Sequence, residues 1–206
     1  MTRARLRIAA VLILLMCAFA PALGADEVIT LDPSQTKVEF TLAATMHTVH
    51  GAFRLKGGEI HLDLPTGKAS GAVVVDTKSG DTGNSGRDRR MHFEVLESSK
   101  FPEIVFSPTR LKPTVDLKGI LEGRQQTPSR VEISGVIRLH GQDHEVTLVA
   151  DVQRSSDGRL DVSTKFSVPY VQWGLKNPST FLLRVSETVQ LEVHATVRVG
   201  PALAVQ

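Results

Sequence analysis

Val189-Gln190-Leu191-Glu192-Val193-His194-Ala195-Thr196-Val197-Arg198 places an apolar residue at every second position and a polar one between. Successive side chains of an extended strand point to opposite sides, so this stretch reads as a strand with one buried and one wet face. Val185 falls on the apolar side as well, while Glu187 and the polar set alternate with it or face away. Upstream the pattern recurs. Val38, Phe40, Leu42 and Ala44 alternate with Lys37, Glu39 and Thr41, and Ile60, Leu62 and Leu64 with Glu59, His61 and Asp63. Val131, Ile133, Ile137 and Leu139 repeat it, as do Leu160, Val162, Phe166 and Val168. Strands are expected near 37–45, 48–56, 59–64, 69–76, 103–111, 129–139, 145–153, 159–169 and 184–198.

Turn signals separate these runs: Lys56-Gly57-Gly58, Pro65-Thr66-Gly67, His140-Gly141-Gln142-Asp143 and Ser155-Ser156-Asp157-Gly158. Such short connections imply antiparallel neighbours. One segment departs from period two. Between Asn84 and Ser99, Met91, Val95 and Leu96 fall at helical spacing, with Asn84 or Ser85 as N-cap, Asp88 in the first turn and Phe101-Pro102 as the stop. Pro113 to Pro128 shows no clear period and reads as a loop or irregular hairpin. A single short helix does not cover the apolar side of eight or nine strands, so the sheet must close on itself or fold into a sandwich. The expected class is all-β, an antiparallel eight- to nine-stranded barrel with one short helix. A barrel of this size is either filled by its own side chains or wide enough for one small ligand, and the pattern is compatible with both.

At the N-terminus, Arg3, Arg5 and Arg7 precede the 13-residue apolar run Ile8 to Ala20 and the small-residue stretch Pro21 to Ala25. The run is shorter than the roughly 18 residues that argue for a membrane span, so residues 1–25 read as a cleaved secretory signal and 26–206 as one exported domain, periplasmic or secreted. Cleavage after Ala22, Gly24 or Ala25 satisfies the small-residue rule. Cys17, the only cysteine, lies within the signal behind Met16, which argues against a lipid-modified cysteine. The processed chain then has no disulfide to lean on. Removing the signal leaves 21 basic and 22 acidic residues, a net charge of −1, with no basic run to favour nucleic acid.

Several segments together resemble the YceI-like family. They are Leu31-Asp32-Pro33-Ser34 with Val38-Glu39-Phe40, Val49-His50-Gly51-Ala52-Phe53, Thr82-Gly83-Asn84 running into Arg87-Asp88, Phe101-Pro102-Glu103-Ile104-Val105-Phe106, and Leu139-His140-Gly141 with Glu145-Val146-Thr147-Leu148. The similarity runs from about residue 28 to 198. It implies a lipocalin-like barrel with one helix, periplasmic or secreted, holding a polyisoprenoid, quinone or fatty-chain amphiphile. Many members carry an aspartate and an arginine before an aromatic-glycine pair. Here the chain reads Pro169-Tyr170-Val171-Gln172-Trp173-Gly174 and adds Asn177 to Arg184, as a distinct branch would.

The candidate ligand-binding residues are the inward rows Phe40, Leu42, Phe53, Leu62, Val73, Val75, Phe106, Ile133, Ile137, Leu148, Phe166, Val168, Leu191 and Val193, which would equally line a filled core. A wall of phenyl and aliphatic groups offers no handle to a sugar or nucleotide, so any content should be hydrocarbon-like. Tyr170 and Trp173, the only Tyr and Trp, suit either a rim gripping the ligand's polar junction or a structural plug. Phe181-Leu182-Leu183 reads as a lid or as the start of the last strand. Arg87-Asp88 reads as an anion site or, more simply, as an ion pair and helix cap. His47 and His50 are three apart on one strand and face opposite ways. His140 and His144 bracket a turn, so no metal site is assigned. With no thiol after processing, no Gly-x-Ser-x-Gly elbow and no phosphate loop, no catalytic residue or cofactor is assigned and the chain is read as a non-enzyme. The partner is the lipid itself; the processed chain is not read as an integral membrane protein. A membrane redox or envelope partner and a homodimer are compatible with the reading, as is the alternative of a filled-barrel interaction module or, further off, a lipid-acting enzyme.

Overall fold

Eight strands carry the alternating pattern around a closed antiparallel barrel in the computed structural model of the chain, which describes residues 27–113, 117–124 and 128–201. They are β1 Glu27–Ala43, β2 Thr48–Asp63, β3 Lys68–Asp81, β4 Glu103–Pro113, β5 Ser129–Leu139, β6 Gln142–Arg154, β7 Leu160–Val168 and β8 Val189–Pro201. Each pairs with the next, and β8 returns to β1, so no sheet edge is left open. The expected all-β, lipocalin-like barrel is what forms. The signal expected over residues 1–25 lies outside the described residues.

Strand boundaries differ from the sequence reading where a bulge resembles a turn. Segments 48–56 and 59–64 are one strand, β2, because Lys56-Gly57-Gly58 shifts the register against β3 between Leu55 and Gly57 without reversing the chain. β1 reaches back to Glu27 through a similar break. The Asp32 carboxylate accepts from the Ser34 amide (2.8 Å) and hydroxyl (2.7 Å), and the Thr36 hydroxyl donates to the Asp32 carbonyl (2.9 Å). Pro33, which has no N–H to give a ladder, sits within the irregular stretch. At the last strand the ladder begins at Val189, while Val185 makes only an isolated bridge with Ala44. The β5–β6 connection is the two-residue turn His140-Gly141, both with positive φ (52° and 78°), as a type I′ hairpin requires.

The expected helix forms as α1, Ser85–Arg90, and continues through a π-helical turn, Met91–Val95. Asn84 caps it by accepting from the Arg87 amide (3.0 Å). Asp88 takes the Thr82 amide (2.9 Å), and His92 spans from the Ser98 hydroxyl (3.1 Å) to the Gly80 carbonyl (2.9 Å), pinning the helix to the end of β3. The Pro113 to Pro128 stretch adds a five-residue helix, α2, Leu117–Leu121, whose Leu121 carbonyl accepts from the Arg154 guanidinium.

Two apolar clusters stand at opposite ends. Leu62, Leu111, Ile120, Val131, Val152, Leu160, Ala195 and Val197 pack at the α2 end, with Ile120 only 1% exposed. Leu96, Ile137, Leu139, Val168, Tyr170 and Leu175 pack at the α1 end. Around the α1-end cluster, glycines seat the phenyl rings against the wall. A Cβ on Gly80 would lie 2.6 Å from Phe53 Cε1 and 2.7 Å from Met91 Cε, and one on Gly135 would lie 2.7 Å from the Phe106 ring. Phe40 likewise occupies the space over its cross-strand partner Gly51. Gly80→Ala must therefore push Phe53 and Met91 off the wall. The expected loss of stability in denaturant unfolding is about 1–3 kcal/mol. Phe53→Leu in the same chain should recover part of it.

Candidate functional site

A cavity of about 650 Å³ runs along the barrel interior. The barrel's alternation delivers its wall: Val38, Phe40 and Leu42 from β1, Leu62 from β2, Val73 and Val75 from β3, Phe106 from β4, Ile133 and Ile137 from β5, Leu148 from β6, Phe166 and Val168 from β7, and Leu191 and Val193 from β8. Phe53, Tyr170 and Trp173 complete the set, so every residue expected on an inward row meets the same space. The outward rows carry the polar alternates, the inverse of a membrane-spanning barrel.

The cavity opens at the α1 end, where its lining includes the exposed residues His47, Gly86 and Arg90 beside Thr82, Arg87, Pro178 and Leu183. Period two does not reach these groups, which come from a turn, a helix start and a long connection; Arg87, His47 and Leu183 stood out in the sequence by residue type alone, and Gly86, Arg90 and Pro178 did not. Arg87 is fixed by two bonds to one residue: its Nε donates to the Thr82 hydroxyl (2.8 Å) and a terminal nitrogen to the Thr82 carbonyl (2.9 Å). Arg90 is held more loosely, its Nε 3.6 Å from Glu94, which Lys176 approaches to 2.8 Å. The Lys176 ammonium holds the Glu94 carboxyl below its usual range, with Arg90 adding to the effect.

The family profile for the YceI-like domain matches residues 29–197. The chain belongs to this family. No curated protein matches it by sequence. Among solved structures, Burkholderia cenocepacia BcnA superposes with a TM-score of 0.64 at 15% identity, over 82% of this chain and 99% of that one. A polyisoprenoid binding domain from Saccharophagus degradans, implicated in plant cell wall breakdown, gives 0.61 at 18% identity over 84% and 98%. The Campylobacter jejuni YCEI protein gives 0.52 at 16% over 74% and 86%. At these identities the likeness is one of fold.

Within this YceI-like barrel the remaining candidates take definite places. His47 lines the mouth, whereas His50 points outward to the Thr41 hydroxyl (3.2 Å). His140 meets Glu97 at 2.6 Å and packs on Phe101. His144 stacks on Trp173, ring centroids 4.1 Å apart and planes 2° from parallel, with its Nε2 buried and unpartnered. Among the described residues no three His, Cys, Asp or Glu side chains gather as a metal site. Of the strap between β7 and β8, Pro178, Leu183 and Val185 face the cavity, while Phe181 and Leu182 face water.

Tyr170 is 5% exposed and donates its hydroxyl to the Ser186 carbonyl (2.7 Å), tying the strap to the end of β7. Its ring faces the cavity and its polar tip is already committed. Burial, with Glu187 nearby, pushes the phenol up to about 12. An unfolded phenol ionises near pH 10, so between about pH 10 and 12 the unfolded state loses its proton first and stability falls as pH rises. As Tyr170 is the only tyrosine, the phenolate absorbance of the whole protein reads it alone. The folded protein should titrate near 12, and the urea-unfolded chain about two units lower, near 10. Tyr170→Phe should cost about 1 kcal/mol and flatten the alkaline loss of stability.

Proposed function

We propose that this protein is an exported lipid-binding carrier, which takes the chain of a polyisoprenoid, quinone or fatty amphiphile into the barrel and keeps its polar end at the α1 mouth. The observation that carries the reading is the cavity itself, about 650 Å³ walled almost entirely by phenyl and aliphatic side chains. That volume lies within the roughly 300–1,000 Å³ range of pockets that hold one small ligand. An apolar void of this kind is a poor host for water and a good one for hydrocarbon, each buried methylene contributing about 0.8 kcal/mol. A long tail needs few polar contacts to be held. Membership of the YceI-like family, and the fold shared with a polyisoprenoid binding domain, support the same ligand class. Export rests on the leader-like residues 1–25.

The orientation follows from the two ends. The α2 end of the wall is apolar and closed over by buried side chains, whereas Arg87, Arg90 and His47 stand at the opening. A polar or anionic head left at the mouth meets these groups and water together, and the tail points toward Ile29, Leu160 and Val199. The reading is of a binding protein, and the cavity counts against the alternative of a filled barrel acting only through its loops.

Native mass spectrometry of protein purified from an exporting bacterium, followed by organic extraction, is the direct test. One isoprenoid, quinone or fatty amphiphile per chain, released on unfolding, is the expected result. A mass without ligand, together with failure to take up such lipids when offered, would overturn the reading. Val193→Trp, which fills the middle of the lumen, should weaken uptake of a fluorescent fatty-chain probe by about tenfold or more, the equivalent of about 1.4 kcal/mol. The variant should remain folded by circular dichroism.

A further inference from the structure

Five large apolar side chains stand exposed among the described residues, and four of them lie on segments that also supply residues of the cavity mouth. Phe181 (98% exposed) and Leu182 (85%) form the tip of the strap, Met46 (85%) the β1–β2 turn, and Phe93 (70%) the π-helical turn. The strap tip is a closed turn. Thr180 donates its amide to the Leu183 carbonyl (2.8 Å), and its hydroxyl accepts from the Leu183 amide (3.1 Å), so Leu183 is directed to the cavity and Phe181-Leu182 away from it. The tip is also laced to the turn that carries Met46. The Thr45 amide donates to the Arg184 carbonyl (2.9 Å), the Arg184 amide to the Thr45 hydroxyl (3.0 Å), and the Ser186 amide to the Ala43 carbonyl (2.8 Å). Phe181, Leu182 and Met46 thus stand on one braced projection beside the opening.

Charge is distributed unevenly in the same way. The mouth segments, residues 44–48, 84–95 and 175–187, carry five Arg and Lys against three Asp and Glu, whereas the chain from residue 26 onward is net acidic by one. The rest of the domain is therefore acidic by three. Of the three acids at the mouth, Asp88 is spent on Thr82 and Glu94 is shared by Lys176 and Arg90. Exposed apolar groups on segments that also carry a cationic excess are the chemistry of a surface that sits in the headgroup region of an anionic bilayer.

We propose that the α1 mouth docks on a bilayer containing anionic lipid, with Phe181, Leu182 and Met46 inserted and Arg184, Arg89 and Lys176 at the phosphate level. Docked in this pose, the opening faces the leaflet, and an amphiphile passes between bilayer and cavity without exposing its chain to water. This rests on the carrier reading above for its purpose, but not for its test.

The purified protein is floated with vesicles of phosphatidylcholine alone or of phosphatidylcholine mixed with phosphatidylglycerol. In parallel, uptake of a fluorescent fatty-chain probe is titrated without vesicles. The protein should float with the mixed vesicles, less with phosphatidylcholine alone, and less again in high salt. The double variant Phe181→Ser, Leu182→Ser should lose vesicle binding by about tenfold or more while taking up the probe as before, since both side chains point away from the cavity. Arg184→Glu should weaken only the binding to mixed vesicles. Absence of the wild-type protein from both vesicle types overturns the docking, as does a double variant that floats unchanged. Retention by cell-derived membranes but not by protein-free vesicles overturns it in favour of a protein receptor. Probe uptake without vesicle binding leaves the carrier reading standing alone, and vesicle binding without probe uptake does the reverse.

Discussion

The inward apolar rows of eight strands have to be hidden from water, and no helix among the described residues is large enough to hide them. α1 spans six residues and α2 five. Closure of β8 onto β1 is the remaining solution, and it settles several things at once. It satisfies the backbone of the first and last strands, turns every second residue inward, and gathers side chains from all eight strands around one axis. Bulges at Asp32 to Gln35, at Gly57 and around Pro108 let long strands coil tightly enough to close.

Closure alone does not explain why the interior is hollow. Eight strands make a barrel narrow enough for phenyl rings to fill, and Phe40, Phe53, Phe106 and Phe166 all point inward. Three of these rings instead occupy space vacated by Gly51, Gly80 and Gly135, where a methyl group would collide with them. The missing side chains on the wall are thus matched to the large ones beside them. The rings broaden the wall without crossing the lumen. A hollow apolar interior is a cost to the unliganded fold, since groups facing a void forfeit contacts that a filled core would make. Residues of both clusters line the cavity, so the packing that offsets that cost lies within the wall and not across the lumen.

The strand pattern, the α1 cap at Asn84 and the wall residues were legible because each rests on a local rule: period two, a capping side chain, a turn residue. Lys56-Gly57-Gly58 misled for the same reason. Glycine and proline punctuate a bulge as readily as a turn, and the difference lies in whether a neighbouring strand continues past them. α2 was missed because Leu117–Leu121 is too short to show a period. The mouth was the least legible part. His47, Arg90 and Leu183 come from three segments with no shared pattern, and only the lacing of Thr45 to Arg184 and of α1 to β3 brings them to one opening. The hollow centre was invisible for a related reason, since a phenylalanine row reads alike whether its rings fill the lumen or lie over glycines along the wall, as Phe40 and Phe53 do while touching each other at 5.2 Å between centroids.

The contrast between wall and mouth limits what kind of selectivity the proposed carrier can exercise. Dispersion and hydrophobic burial are non-directional, so the wall discriminates by length and thickness of a chain and hardly by its chemical detail. One methylene more or less changes affinity only modestly. Hydrogen bonds and charge are directional, and at the opening they are concentrated in Arg87, Arg90 and His47. Arg87 is locked by Thr82, whereas Arg90 shares its carboxylate with Lys176 and keeps freedom to turn. In the proposed carrier, a ligand's identity is therefore read at its head, and its affinity is set along its tail. Pro178, Leu183 and Arg87 lie at the mouth, where a change of sequence alters the opening without touching the strand pairing that closes the barrel.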